Sequence, residues 1–421
     1  MSTSTTHPPD QPEQQSDGVF TMGWTIVAFT AMSQFFSVGI GYYTFSVYLK
    51  PLAESLDANR GYVSLALTLQ MLLLALIAPM VGRVLSRYPL RQVMVGGVFM
   101  LSAGLIICAN ATNIYHIYIG FGLVLAVGSS FTGNIPCNMI LANWFVKRRG
   151  TAMGISQTGI TISGVVLVPL ASYLVVNYDW QTAFWFFAVT VPVLMLPLIW
   201  KFAVKTPQEL GLHPDGVVSA QPPMPADGGR EFGFAQAIRI KDVWLISLFA
   251  GPCYMAIGAV VISLPAHGTD LGLSALEAST VVSVTTLFGA LAKPLTGIFS
   301  DYVPKRAVAG VAVGLQVVGV FLLLQADSLI TLCVAGGFFG LGYGGIAPMW
   351  SVLLAERFDG GDFAKVMGAS MPITMPFNII GLPAANFVFE MTGSYSPAFA
   401  ALFAGYIISA LCLWLLRPPV K

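Results

Sequence analysis

Apolar residues along this chain gather into long unbroken runs, and the polar and charged positions are confined to the gaps between them. A helix needs about 20 apolar residues to cross the hydrocarbon core of a bilayer. Twelve runs near that length can be drawn, over residues 23–49, 61–82, 91–110, 115–142, 149–176, 181–203, 243–266, 276–299, 306–326, 329–354, 364–390 and 396–416. A spanning segment must satisfy its own backbone groups in the absence of water, so each run predicts a helix. Between the sixth and seventh runs, Lys205 to Lys241 holds Pro207, Pro214, Pro222, Pro223, Pro225 and the pair Gly228 and Gly229, with no sustained apolar periodicity. That stretch reads as a linker. The expected architecture is an all-α integral membrane protein of two six-helix bundles. Its parts are a disordered tail over 1–20, a first bundle over 21–204, the linker over 205–241, a second bundle over 242–416 and a short C-terminus over 417–421.

Composition fits that reading: 56% of residues are hydrophobic and 9% charged, against about 25% charged in soluble proteins, and mean hydropathy is +0.77. The lipid bilayer is the expected surrounding, and a net charge of +1 gives nucleic acid nothing to hold. Cys108, Cys137, Cys253, Cys333 and Cys412 lie scattered in apolar runs without ligand spacing, so no metal is expected. No cofactor is implied. Met1 to Asp17 has no basic start followed by an apolar stretch, which excludes a cleavable signal peptide. No GxxxxGK[ST] phosphate loop is present, so primary pumping by ATP is disfavoured. The spans hold no constellation of His, Asp, Glu or Ser at one depth, and an enzyme is not expected. No feature calls for an obligate protein partner.

Basic residues set the orientation. On one side fall Arg83, Arg87, Arg91, Lys147, Arg148 and Arg149, then Lys201, Lys205, Arg230, Arg239 and Lys241, then Lys305, Arg306, Arg357, Lys365, Arg417 and Lys421, which are 17 of the 20. The positive-inside rule puts that side, and both termini, in the cytoplasm. A length near the minimum for twelve spans favours a prokaryotic inner membrane.

Two short self-matches relate the halves. Gly82, Pro89 and Arg91 align with Gly297, Pro304 and Arg306 at an offset of 215, and Met153, Gly154 and Ser156 align with Met367, Gly368 and Ser370 at 214. Paired six-helix halves of this kind describe a transporter with its site at their interface, near the midplane. The run Gly297, Asp301, Pro304, Lys305 and Arg306 resembles the loop that follows the second and eighth helices in the major facilitator superfamily. The resemblance implies gating: Asp301 would clasp basic residues and a neighbouring helix end, with Arg306, Arg148 and Arg149 in the same layer. In the first-half copy Ser86 stands where the acid belongs, so Arg83, Arg87 and Arg91 would need acceptors elsewhere. A solvated rim that only sets topology is the plainer reading of these charges.

Within that superfamily the chain is similar to the monocarboxylate transporter family and its bacterial relatives, which include oxalate and formate exchangers. The similarity rests on several stretches in order: Phe45 to Lys50; Trp144 to Ile155 with Gly159, Gly164 and Pro169; Tyr178 to Phe184; Lys293, Pro294 and Gly297; and Glu390 to Phe399. It implies the transport of a small organic anion, with a proton as the expected coupling ion. Four departures stand out. Lys293-Pro294 occupies the place of an Arg-Pro pair, Gly289 that of an acid, Tyr43 that of a first-helix lysine, and Thr374 or a close neighbour that of an eleventh-helix lysine. A lysine keeps the charge and loses the planar fork that grips a carboxylate with two parallel bonds. One remaining cation favours a monoanion.

Lys293 carries the chemistry on residue grounds too, since it is the only basic residue deep inside an apolar run. A lysine at the bilayer centre costs about 2.5–3.5 kcal/mol, so it is expected to face a cavity and meet an anion. Tyr42 and Tyr43, Asn134 and Asn138, Gln157 and Thr161, Tyr254, Tyr343 and Asn378 are polar groups within spans and are the candidates to surround it. Asn134 with Asn138, and Gln157 with Thr161, share a helix face at i, i+4. For any one of them, helix-to-helix bonding is the alternative role. The expected function is secondary transport of an organic monocarboxylate by alternating access with proton symport. The alternative is an efflux carrier for an amphipathic or aromatic compound, favoured if Phe35, Phe36, Trp350 and Phe377 border a wide cavity.

Overall fold

A computed structural model of the chain describes residues 13–214, 234–358 and 362–417. Of the tail expected over 1–20, residues 1–12 lie outside the described residues and Glu13 onward is helical, continuous with the first span; the middle of the linker and the last four residues also lie outside the described residues. Among the described residues the elements are all helical, and twelve helices are long and apolar enough to cross a membrane. They are α1 (Met22–Ser55), α2 (Arg60–Arg87), α3 (Leu90–Ala109), α4 (Ile114–Trp144), α5 (Arg149–Asn177), α6 (Trp180–Phe202), α7 (Lys241–Asp270), α8 (Ala275–Tyr302), α9 (Lys305–Leu323), α10 (Leu329–Arg357), α11 (Phe363–Thr392) and α12 (Ser396–Leu415). The twelve helices follow the order read from the apolar runs, and the sequence boundaries are off by only a few residues at most ends.

Capping differs between the two faces. Of the six helices that begin on the face opposite the linker, α2, α4, α6, α8 and α10 each have a local side-chain cap, Asn59, Asn113, Asp179, Ser274 and Ser328, and α12, which follows Tyr395, has none from its cap residue. Such a cap satisfies one of the four orphan N–H groups at a helix start. α3, α5, α7, α9 and α11 begin on the linker face, and none has a side-chain cap from its own cap residue. Beside them the linker is seated by Lys205, whose Nζ donates to the Leu85 carbonyl at 2.9 Å. Burial holds the Lys205 ammonium below its ordinary lysine pKa.

The two halves meet where α5 crosses α8 and where α2 crosses α11. Glycines allow both crossings. A Cβ on Gly154 would lie 2.5 Å from the Lys293 carbonyl oxygen and 3.1 Å from the Gly297 Cα, and one on Gly368 would lie 3.2 Å from the Pro79 Cα. Gly82 in turn abuts the Ala364 and Lys365 backbone, with Lys365 Cα 2.9 Å from a built Cβ. These four glycines are the ones the sequence repeat pairs, Gly82 with Gly297 and Gly154 with Gly368. The repeat therefore marks the two places where the halves touch. Backbone cannot rotate away as a side chain can, so Gly154→Leu should cost the closed linker end about 1–3 kcal/mol of overpacking. The expected result is faster alkylation of a reporter cysteine buried beneath the crossing, with far-UV helicity unchanged.

Two helices of the first half are irregular. α1 widens into a π turn over Gly39–Tyr43, and α4 does so over Tyr118–Val124 before breaking at Gly133. A Cβ on Gly133 would lie 2.6 Å from the Ser129 carbonyl oxygen, which leaves glycine as the residue that fits. Asn134 then opens a fresh helical segment, Asn134–Trp144, whose N-terminal end carries partial positive charge.

Candidate functional site

Lys293 lies one turn from the α5–α8 crossing and is 6% exposed. Its Nζ donates to the Thr161 hydroxyl and to the Gln157 carbonyl oxygen at 3.3 Å, both on α5 in the other half. No carboxylate pairs with it among the described residues. The array continues through side chains. Gln157 Nε2 donates to Ser351 Oγ at 3.2 Å and lies 3.5 Å from both the Asn138 Oδ1 and the Ala347 carbonyl oxygen. Asn138 Nδ2 donates to Asn134 Oδ1. Residues of α4, α5, α8 and α10 are thus joined across the boundary between the halves. Gln157 Oε1 is buried there without a hydrogen-bond partner. The site therefore offers one cation and one unused acceptor.

The tyrosines form a second group beside this array. Tyr343 packs directly over Gly289, one turn before Lys293, so that a Cβ at position 289 would overlap its ring. Tyr43 rests on Gly164, whose built Cβ is 3.1 Å from the Tyr43 ring, and its ring meets Tyr42 edge to face at 5.2 Å. Tyr43 and Tyr343 come from opposite halves. Tyr254 stacks edge to face with Trp350 at 6.2 Å, next in sequence to Ser351. Asn378 is partly buried on α11, and no hydrogen bond ties it to the lysine array. Thr374, expected in place of a second cation, is fully buried and bonds within its own helix to the Ser370 carbonyl at 3.0 Å. Trp350 and Phe36 are buried, at 0% and 5% exposed, and Phe377 fills the notch at Gly251.

Ser351 escaped the sequence reading, although a signal for it existed: Tyr343, Ala347 and Ser351 follow at i, i+4 and i+8, one stripe of α10 facing the site.

The charged residues of the linker end are placed as follows. Asp301 accepts from the backbone N–H of Gly150 at 2.8 Å, from that of Thr151 at 2.9 Å and from the Thr151 hydroxyl at 2.5 Å. It thereby caps α5 from the opposite half. Arg149, 7% exposed, donates to the carbonyl oxygens of Phe145, Ala142 and, across the interface, Ala355. Arg306 donates to the Leu413 and Trp414 carbonyls at the end of α12, and the Arg91 guanidinium lies 5.6 Å over the Trp200 ring. Arg83, Arg87 and Arg148 are exposed on the rim. Ser86 bonds within its own helix, to the Arg83 carbonyl at 2.7 Å. The inter-half hydrogen bonds named above all lie between the lysine array and the linker end. The structure is closed at that end.

Residues 31–257 and 244–421 each match the sequence profile of the Major Facilitator Superfamily. Monocarboxylate transporter 13 of Rattus norvegicus is 24% identical over 397 residues, covering 91% of this chain and 87% of that protein. An uncharacterized MFS-type transporter of Bacillus subtilis (strain 168), YcxA, is 21% identical over 393 residues, covering 89% of this chain and 90% of that protein. Among solved structures, the proton:xylose symporter XylE superimposes with a TM-score of 0.76 at 13% identity, covering 94% of this chain and 96% of that one.

Proposed function

Since the chain belongs to the Major Facilitator Superfamily, and is a transporter rather than an enzyme, we propose that its cargo is an organic monocarboxylate, carried by alternating access with proton symport. The observation that supports this most is Lys293: a buried cation, bonded across both halves, with no carboxylate to balance it. The monocarboxylate transporters among its relatives point the same way. The positive-inside rule puts the linker face in the cytoplasm, so the end at which the structure is closed is the cytoplasmic one. A prokaryotic inner membrane is the proposed location, in keeping with the bacterial relative.

The geometry suggests how one lysine can do this. A carboxylate that reaches Lys293 supplies the missing counter-charge, and a charge-assisted hydrogen bond in this dry setting is about twice as strong as a neutral one. Thr161 and Gln157 then have to share the ammonium with the substrate. That loosens contacts between α5 and α8 just where the halves must part. The empty carrier returns most readily with Lys293 uncharged, because an ammonium without its anion costs about 2.5–3.5 kcal/mol at this depth. A proton bound and released at Nζ in each cycle makes the symport electroneutral, with no membrane carboxylate required. Tyr43 and Tyr343, one from each half, border the apolar part of the cargo.

Counterflow in proteoliposomes against a panel of radiolabelled carboxylates tests the reading. A short monocarboxylate should exchange, dicarboxylates should exchange far more weakly, and net uptake should follow an imposed inward proton gradient. Exchange of neutral or cationic amphipaths with no carboxylate among them would overturn the substrate class. Uptake indifferent to the gradient would remove the proton.

A further inference from the structure

We propose that the groove between α9 and α12 is a binding site for an anionic glycerophospholipid of the leaflet on the linker face. This site lies on the outside of the second half, away from Lys293, and does not depend on what the transporter carries. The groove holds about 800 Å³, within the range of about 300–1,000 Å³ typical of small-molecule sites. Its shaft is apolar, with Gly310 and Gly314 of α9 facing Phe403, Ile407 and Ala410 of α12. A Cβ built on either glycine meets nothing within 4 Å, so these two positions leave open space. Ala410 is exposed. Such a slot at bilayer depth suits an acyl chain.

The mouth of the groove is charged. Lys305, Arg306, Glu356 and Trp414 surround it at the linker end. Glu356 accepts one Lys305 donor at 2.8 Å, which leaves the three ionisable side chains with one net positive charge and the ammonium with donors to spare. Arg306 spends its Nε and Nη2 on the ends of α12, and its Nη1 edge makes no hydrogen bond among the described residues. A phosphate fits these donors, and basic residues at this level of a membrane helix recognise anionic headgroups. Trp414, 75% exposed, sits where an indole spans the boundary between chains and headgroups. A single molecule with an anionic head and an apolar tail matches the whole groove from mouth to shaft.

Comparison with the first half sharpens the assignment. Arg91 and Trp200 are the repeat partners of Arg306 and Trp414, and at the offset of 215 that pairs the arginines, Val95 and Phe99 stand where the second half has Gly310 and Gly314. There the Arg91 guanidinium is laid over the Trp200 ring, and α3 packs closely along α6. In the second half the arginine is turned onto the end of α12, and α9 and α12 touch little. The same scaffold is filled by protein on one side and left open on the other.

The test uses the full chain, purified in detergent and stripped of lipid, with thermal unfolding followed by intrinsic fluorescence and bound mass followed by native mass spectrometry. Phosphatidylglycerol should raise the unfolding temperature by several degrees more than phosphatidylcholine with the same chains, and should persist as a bound adduct. Glycerol phosphate, the head without the tail, should give no shift. Gly314→Leu fills the shaft from α9 and Ala410→Leu fills it from α12, and each should abolish the difference. Gly96→Leu, on the corresponding helix α3 of the first half, should keep it. Equal shifts with both lipids would overturn the proposal, as would persistence of the phosphatidylglycerol shift in whichever of the two filling variants folds. A dimer that is lost in Gly314→Leu would assign the groove to a second copy of the chain instead.

Discussion

Lys293→Ala should lower monocarboxylate counterflow by at least about a hundredfold, while Lys293→Arg keeps a measurable part of it. Removing one partner of a buried, hydrogen-bonded charge pair costs about 3–5 kcal/mol, because the other charge is left uncompensated. At about 1.4 kcal/mol per factor of ten, the substrate carboxylate would lose roughly two to three and a half decades of affinity. The empty protein should respond with the opposite sign. Its lysine is 6% exposed and has no acid beside it, and a lone ammonium at bilayer depth costs about 2.5–3.5 kcal/mol. Lys293→Met, which keeps the length of the side chain and drops the charge, should therefore raise the unfolding temperature while abolishing transport. A lysine that served only to tie α8 to α5 would give the reverse pattern, since its loss would weaken the fold. Counterflow and thermal unfolding measured on the same preparations separate the two. The arginine variant reports on shape: its planar fork is larger than the ammonium, and Thr161 and Gln157 are already within bonding distance.

How much of this could be read from the residues depends on which physical signal carries each part. Twelve apolar runs give twelve helices, because a bilayer leaves the backbone no other way to satisfy its polar groups. The repeat at 214 and 215 was legible as an architecture, yet its meaning lies in space: Gly82, Gly154, Gly297 and Gly368 recur because backbones touch there. Lys293 announced itself through the cost of its position. The tyrosines were harder to place. The π turn at Gly39–Tyr43 adds a residue to one turn of α1 and rotates everything beyond it, so a face drawn at i, i+4 through that segment fails. Likewise Asn134 begins a new segment after the break at Gly133, which no apolar run reveals. Asn378 had the same credentials as Asn138, a polar side chain within a span, and only packing distinguishes the one in the array from the one outside it.

Asp301→Asn should shift the linker end toward its open arrangement by roughly tenfold or more. The reason is where α5 obtains its cap. Five of the six helices that start on the opposite face carry their own caps, Asn59, Asn113, Asp179, Ser274 and Ser328, and α12 is the exception; those caps are indifferent to how the halves sit. α5 borrows its cap from the other half: Gly150 N–H, Thr151 N–H and the Thr151 hydroxyl all donate to Asp301. Opening strips them at once. Hydrogen bonds to a charged group are worth about 1.5–3 kcal/mol net, and the helix end adds a further contribution of about 0.3–1 kcal/mol. An amide keeps the shape, loses the charge and presents a donor to donors. The pseudo-symmetric place offers the converse experiment. Gly82 abuts Ala364 and Lys365 at the start of α11, one turn before Ser86, which bonds only to the Arg83 carbonyl, and α11 has no side-chain cap. Ser86→Asp should supply one and hold the linker end shut, with a smaller effect than the loss of Asp301 because Asp362 is a like charge nearby, partly offset by its pair with Lys365 at 3.2 Å. Spin labels at the exposed Tyr88 and Tyr302, one on each half at the linker end, read both variants by their distance distribution. A longer distance in Asp301→Asn and a single short one in Ser86→Asp make the borrowed cap the latch. Distributions unchanged by either variant would leave the glycine crossings alone to hold the halves together.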